Sequence, residues 1–172
     1  MRATRGKNTK RLAIYPGSFD PITNGHLSLI QRAGAIFDNV TVVIADNSDK
    51  RTLFSFEERL KMAKQVFRKY SWVNVDGLVG LTAKYAQKNK AVAILRGIRA
   101  VSDFEFEFQL ALMNRKIARN VETVFLMPSL SWVYLSSTLV KDIARYQGDV
   151  STLVPSIVNR ALIKKYAELR KS

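Results

Sequence analysis

A chain of 172 residues, 47% hydrophobic and 24% charged, has the size of one globular domain with its own core. Its zero cysteines and one histidine exclude disulfides, thiolate catalysis, zinc–thiolate centres and multi-histidine metal sites, so any metal must rest on oxygen ligands or on a substrate. The formal charge of +14 suits a polyphosphate substrate or a nucleic acid. Much of it is terminal, however, in Arg2, Arg5, Lys7, Lys10 and Arg11 at one end and Arg160, Lys164, Lys165, Arg170 and Lys171 at the other. Solvated ends explain that distribution better than a polyanion groove, and no helix-turn-helix or RNP pattern is present, so no nucleic-acid partner is expected. No apolar run approaches the roughly 18 residues that cross a bilayer. The opening MRATRGKNTKRL lacks the apolar core of a secretory signal. We therefore expect a soluble, cytoplasmic protein with no membrane partner.

In chain order, residues 11–15 form a first strand. From Gly25 onward, Leu27, Ile30, Ala33, Gly34 and Phe37 mark one face at helical spacing. Residues 40–45, VTVVIA, are a near-continuous β-branched run, as in a strand covered on both faces. SFEE at 55–58 is a capping box with Ser55 as N-cap, opening a helix to about Tyr70. A weaker strand at 72–76, a short helix at 81–88 and a strand at 91–95 follow. SDFE at 102–105 reads as a second capping box, with a helix to about Ala118. A fifth strand, 121–127, stops at Pro128. Helices near 138–146 and 155–169 close the chain, with Pro155 suited to a first turn.

This alternation predicts an α/β fold, a single-domain, Rossmann-like, doubly wound parallel five-stranded sheet with helices on both faces and C-terminal helices. Residues 1–10 are expected to be a flexible basic extension and 11–172 the domain. Ligands of such sheets sit outside the carboxyl ends of the strands. That rule selects the loops 16–26, 47–54, 96–101 and 128–138.

The unusual residues lie in those loops. In YPGSFDPITNGH, residues 15–26, Gly17 and Gly25 permit close approach of a ligand and Ser18 supplies a hydroxyl. His26 falls in a first helical turn, where free N–H groups and the helix dipole favour an anion. As turn chemistry alone, the stretch is equally a strand–helix connection with Asn24 as N-cap and an exposed histidine. Arg96 and Arg99, three apart after a buried strand, can face one anion with planar forks suited to phosphate. Ser136, Ser137 and Thr138 place three hydroxyls and their N–H groups at a helix start, a phosphate cradle or an ordinary cap cluster. The alternating FEFEFQ at 104–109 resembles an edge strand in isolation. Its neighbours pull it into a helix whose apolar residues Phe104, Phe106, Phe108, Leu110 and Ala111 belong to the core or to a subunit interface.

GSFDPITNGH closely resembles the G-[ST]-F-D-P-x-[TH]-x-G-H signature of the nucleotidyltransferases that act at the α-phosphate of a nucleotide. The T-x-G-H form, with Thr23, is similar to bacterial-type phosphopantetheine adenylyltransferase. RGIRAVSDFEFEFQLALMNR at 96–115 and LSSTLVK at 135–141 resemble that family's R-G-[LI]-R-x-x-x-D-F-E-x-E-x-Q-[ML]-A-x-x-N and I-S-S-[ST]-x-[VI]-[KR] segments. The likeness spans about residues 11–169. It implies transfer of AMP from ATP to 4′-phosphopantetheine, giving dephospho-coenzyme A and pyrophosphate in coenzyme A biosynthesis.

The resemblance also implies the site. His26 stabilises the transition state, with Arg99 and Lys50 beside it. ATP meets Ser18, Phe19, His26, Gly97, Ile98, Arg99, Glu107 and the run Trp132, Val133, Tyr134, Leu135, Ser136, Ser137 and Thr138. Phosphopantetheine meets Ser18, Lys50, Thr82 and Arg96. Mg2+ is expected on the ATP phosphates and not on a protein metal site, and the assembly is expected to be a homohexamer of two trimers. The charge of His26 stays open, because the helix end disfavours its protonation and the phosphates favour it.

Overall fold

A computed structural model describes residues 10–46, 51–99 and 101–171, with the side chains of 101–103 excepted. The five strands are β1 (Leu12–Gly17), β2 (Asn39–Ala45), β3 (Val73–Leu78), β4 (Ala93–Gly97) and β5 (Glu122–Leu126). They alternate with helices α1 (Asn24–Ala33), α2 (Phe56–Phe67), α3 (Thr82–Lys88) and α4 (Val101–Ile117). A short 3-10 turn, Leu130–Trp132, leads into α5 (Ser137–Arg145) and then α6 (Ser156–Leu169). All pairings are parallel, in the order β3-β2-β1-β4-β5. The expected architecture is present.

The pleat divides the strand side chains between two cores. Ala13, Tyr15, Val40, Val42, Ile44, Ala93 and Leu95 face the larger one, with Leu29, Ile30 and Ala33 of α1, Met62 and Phe67 of α2, Val140 of α5 and Leu162 of α6. Their strand neighbours Ile14, Val43 and Ile94 face the smaller one, with Ala83 and Ala86 of α3 and Ala118 just past α4. Residues 40–44 alternate between covered faces, which is why they read as a continuous apolar run.

Three of the strands end later than their apolar runs. β1 continues through Pro16 and Gly17, β3 to Leu78 and β4 to Gly97, because parallel pairing is backbone chemistry and carries on into residues chosen for the site. Helix ends differ too. α2 stops at Phe67 and not near Tyr70. α4 begins at Val101, so Ser102 lies inside its first turn and is not its N-cap. Pro155 is the N-cap of α6 and not its first residue. Ser55 caps α2 as expected, accepting from the backbone N–H of Glu58 while the Glu58 carboxylate accepts from the N–H of Ser55.

One detail of register positions everything that follows. β1 pairs with β2 as far as Gly17 with Ile44. Its pairing with β4 stops at Ile14 with Ile94. The carboxyl ends of the two central strands therefore splay apart at the point where the strand order reverses, the place such sheets hold ligands.

Candidate active site

The splayed ends open into a cleft of about 710 Å3, the size of a small-molecule site. Its walls come from the β1–α1 loop (Pro16, Ser18, Asp20, Thr23, Gly25, His26), the β2–α2 loop (Arg51, Thr52), the start of α3 (Thr82), the end of β4 (Arg96, Gly97, Arg99), α4 (Phe106, Glu107, Leu110) and the start of α5 (Ser136, Ser137, Thr138, Lys141). A second groove, about 670 Å3, lies between α2 and α6. It is walled mainly by side chains of those two helices with no strand end, so the first is the candidate site.

His26 sits at the third position of α1. The backbone N–H of the N-cap Thr23 donates to its Nδ1 at 3.0 Å. A backbone N–H is an obligatory donor, so Nδ1 is unprotonated and the neutral ring carries its proton on Nε2, on the opposite edge. The Thr23 hydroxyl lies 3.0 Å from the same Nδ1. Burial, with the Arg99 guanidinium adding repulsion, pushes the imidazole pKa down from 6.5 to about 4. The ring is therefore a neutral donor at pH 7, which answers the question of its charge in the absence of ligand. It packs edge-on against Phe19, 5.1 Å between centroids. The N-cap is Thr23 and not Asn24. Asn24 instead ties α1 to the loop before α6, through its N–H to the Leu153 carbonyl and its side chain to that of Thr152.

The turn between β1 and α1 is held from below. Gly17 is needed because a Cβ there would sit 2.9 Å from the Phe19 ring. Phe19 adopts φ +48, a left-handed conformation uncommon outside glycine and asparagine. Asp20 is buried and accepts from the N–H groups of Leu53 and Phe54, each at 2.9 Å, and from Lys141 Nζ at 2.7 Å. One carboxylate thus joins the β1, β2 and α5 sides of the cleft.

Across the split, Arg96 makes a two-pronged ion pair with Glu107 of α4. Four cations of the cleft, Arg51, Arg96, Arg99 and Lys141, face two carboxylates, Asp20 and Glu107. Both carboxylates are engaged by cations, which leaves the cleft net positive and suited to an anion. At α5, the Ser136 hydroxyl accepts from Leu139 N–H as a cap, and the Ser137 hydroxyl donates to the Pro21 carbonyl at 2.7 Å. Two of the three expected hydroxyls are thus structural. The helix N-terminus itself, with Thr138, faces the ligand space.

Of the residues singled out in the sequence, Ser18, Phe19, His26, Thr82, Arg96, Gly97, Arg99, Glu107, Trp132, Leu135, Ser136, Ser137 and Thr138 line this one cleft. Ile98, Val133 and Tyr134 are outside its lining; Tyr134 is 62% exposed on the surface. Lys50 lies outside the described residues. Sequence reasoning missed Asp20, Arg51 and Lys141, although Asp20 and Lys141 stand inside the quoted motifs. Phe104, Phe106 and Phe108 are exposed, not core. Among the described residues no group of three or more His, Asp or Glu side chains is placed to hold a metal ion, and no helix is long and apolar enough to cross a membrane.

The cytidylyltransferase-like family model matches residues 14–143, from β1 into α5. The chain belongs to that family. Within it, the chain is 53% identical over 166 residues to a phosphopantetheine adenylyltransferase of Nitratidesulfovibrio vulgaris, covering 96% of this chain and 87% of the relative. It is 50% identical over 155 residues to one of Desulfosudis oleivorans, covering 90% and 92%. A third, from Alkaliphilus metalliredigens, is 50% identical and covered over 99% of its length. A solved structure from Vibrio parahaemolyticus, described as a nicotinate-nucleotide adenylyltransferase, superposes with a TM-score of 0.69 over 92% of this chain and 95% of its own. At 18% identity it supports the cytidylyltransferase-like fold and not a substrate.

Proposed function

We propose that this chain is a phosphopantetheine adenylyltransferase, transferring AMP from ATP to 4′-phosphopantetheine to give dephospho-coenzyme A and pyrophosphate. The observation that carries this reading is about half identity to enzymes of that name along nine-tenths of the chain. The cleft has the parts such a transfer requires. A phosphate monoester is already anionic near neutral pH, so it attacks the α-phosphorus of ATP without a general base. A P–O bond forms to the acceptor, the bond to the leaving pyrophosphate breaks, and no proton need be removed. The protein's task is to position the reactants and to stabilise charge.

In that scheme the Nε2–H of His26 donates to an α-phosphoryl oxygen as charge grows there. Arg99 and Lys50 neutralise the reacting phosphates, and the N-terminus of α5 receives the β- and γ-phosphates. Ser18, Phe19, Gly97, Glu107, Trp132 and the run 135–138 hold ATP, while Ser18, Lys50, Thr82 and Arg96 hold the acceptor. Both cleft carboxylates are committed, Asp20 to Lys141 and two N–H groups, Glu107 to Arg96. Mg2+ therefore fits on the ATP phosphates and not in a protein cage, and when bound it supplies neutralisation of the triphosphate. Residues 11–172 form the catalytic domain and 1–10 a basic extension, in a cytoplasmic enzyme.

Assembly belongs to the same reading. Phe104, Phe108 and Leu112 of α4, spaced i, i+4 and i+8 along one side of the helix, are between 46% and 56% exposed, and Met113 beside Leu112 is 55% exposed, an apolar stripe suited to burial against further copies. A homohexamer of two trimers would cover it.

Pyrophosphate release from ATP, measured with and without 4′-phosphopantetheine, tests the proposal. Release that depends on this acceptor supports it. No release with it, alongside release with another phosphorylated acceptor or from CTP, overturns it.

A further inference from the structure

Arg59 is the one buried cation among the described residues, 2% exposed, and no step above uses it. It sits at the fourth position of α2, close to the helix end where the dipole disfavours a cation. A buried guanidinium is also expensive to desolvate, and an apolar side chain of similar volume serves a core equally well. Stability alone is thus a poor reason for it. Its contacts give a better one.

The fork is spread over three main-chain carbonyls, two of which, those of Ser18 and Ala45, belong to residues that line the cleft. Nη1 donates to the Ser18 carbonyl at 2.7 Å and to the Ala45 carbonyl at 2.9 Å, and Nε donates to that of Phe54 at 3.2 Å. Nη2 lies 3.7 Å from the Asp46 carboxylate. One side chain therefore joins the turn after β1, the end of β2 and the entry to α2. The main chain of Phe54 is held on both sides, its N–H by Asp20 and its carbonyl by Arg59.

Ser18 is the critical anchor. It precedes Phe19, whose backbone is left-handed and whose ring packs edge-on against the His26 imidazole. We infer that Arg59 is a positioning residue for the transfer reaction. It pins the Ser18 carbonyl from behind, and so keeps Phe19 against His26 and the imidazole at the phosphoryl site. This rests on the functional reading above. It concerns a residue that touches neither substrate, and it requires planar, multi-donor geometry that lysine does not supply.

The chain has one histidine, so long-range 15N–1H spectra of tag-free protein report on His26 alone. The variants are Arg59→Met, which keeps bulk and loses the charge, and Arg59→Lys, which keeps the charge and loses the fork. Both are checked for folding by circular dichroism and thermal melting. Expected in each is a displaced His26 resonance pair, kcat lower by about 10–100-fold, as a misplacement of around 1 Å produces, and an ATP dissociation constant within about threefold of wild type. If Arg59→Met does not fold, Arg59→Lys decides on the same readouts. Folded variants with unmoved His26 resonances, or with wild-type kcat, overturn the inference. Failure of both to fold also overturns it, making Arg59 a support of the whole domain. If wild-type protein releases no pyrophosphate with 4′-phosphopantetheine, the functional reading has failed instead, and the resonances still report whether Arg59 positions the ring.

Discussion

At the scale of the residue, the chain's single imidazole has one structural role, at Nδ1, and in the proposed transfer a second, at Nε2. Nδ1 takes the place a carboxylate holds in an ordinary capping box, accepting from the Thr23 N–H. That bond fixes the tautomer and leaves Nε2–H for a ligand. His26→Ala should therefore lower kcat by about 10²–10³-fold, the usual cost of losing a preorganised donor to a growing negative charge. The ATP dissociation constant should change only a few-fold; equal losses in both would mean the ring acts in ground-state binding. The same burial makes acid sensitivity legible. With the pKa near 4 folded and 6.5 unfolded, the unfolded chain binds the extra proton between those values. Stability thus rises with pH from about 4 to 6.5 and is lost on acidification through that window. Urea unfolding across this range should be steeper in pH for the wild type than for His26→Ala, and the His26 resonances should titrate near 4 in ligand-free protein.

At the scale of the element, loops on separate strands are joined by single polar groups. Asp20 serves Leu53, Phe54 and Lys141 at once. Asp20→Ala strands two backbone donors and a partly buried ammonium, at a cost of roughly 3 kcal/mol. For a chain of this length that lowers the melting temperature by about 6–12 °C, measurable by calorimetry; a shift under about 2 °C would show that water replaces the carboxylate. Ser136→Ala removes the cap of α5 and should cost about 1 kcal/mol, with weaker retention of pyrophosphate as product inhibitor. These elements also mark the reach of sequence reading. The strands were legible because buried β-branched runs have few alternatives, and Ser55 with Glu58 announced α2. The cap of α1 was not, because Thr23 and Asn24 are both good caps and only the contact with His26 distinguishes them. Arg59 was invisible, since an arginine after EE on a helix resembles any surface residue until Ser18 and Ala45 are brought beside it. The cleft residues were legible mainly through motif resemblance; composition alone left His26, Arg96 and Ser137 open to plainer readings.

At the scale of the whole molecule, the two faces of the sheet are unequally covered. The side bearing α1, α2, α5 and α6 holds the large core, while the α3–α4 side holds a small one and leaves apolar side chains of α4 in solvent. Leu112 and Met113, 56% and 55% exposed and outside the cleft, are the residues to test. Leu112→Glu with Met113→Glu should move the particle to lower mass in sedimentation velocity while leaving its circular dichroism intact. An unchanged mass would count against this side of α4 as a contact in the proposed assembly.

The early end of the β1–β4 pairing has a mechanical consequence. The sheet is two leaves, β3-β2-β1 and β4-β5, stitched only at the bottom and left unlaced at the top. A nucleotide wedged in that gap would touch both leaves and act as the missing lace. Amide exchange at Leu95, Arg96 and Gly97 should accordingly slow when ATP is added, more than in the continuous β1–β2 seam, and the domain should melt later with its reactant aboard.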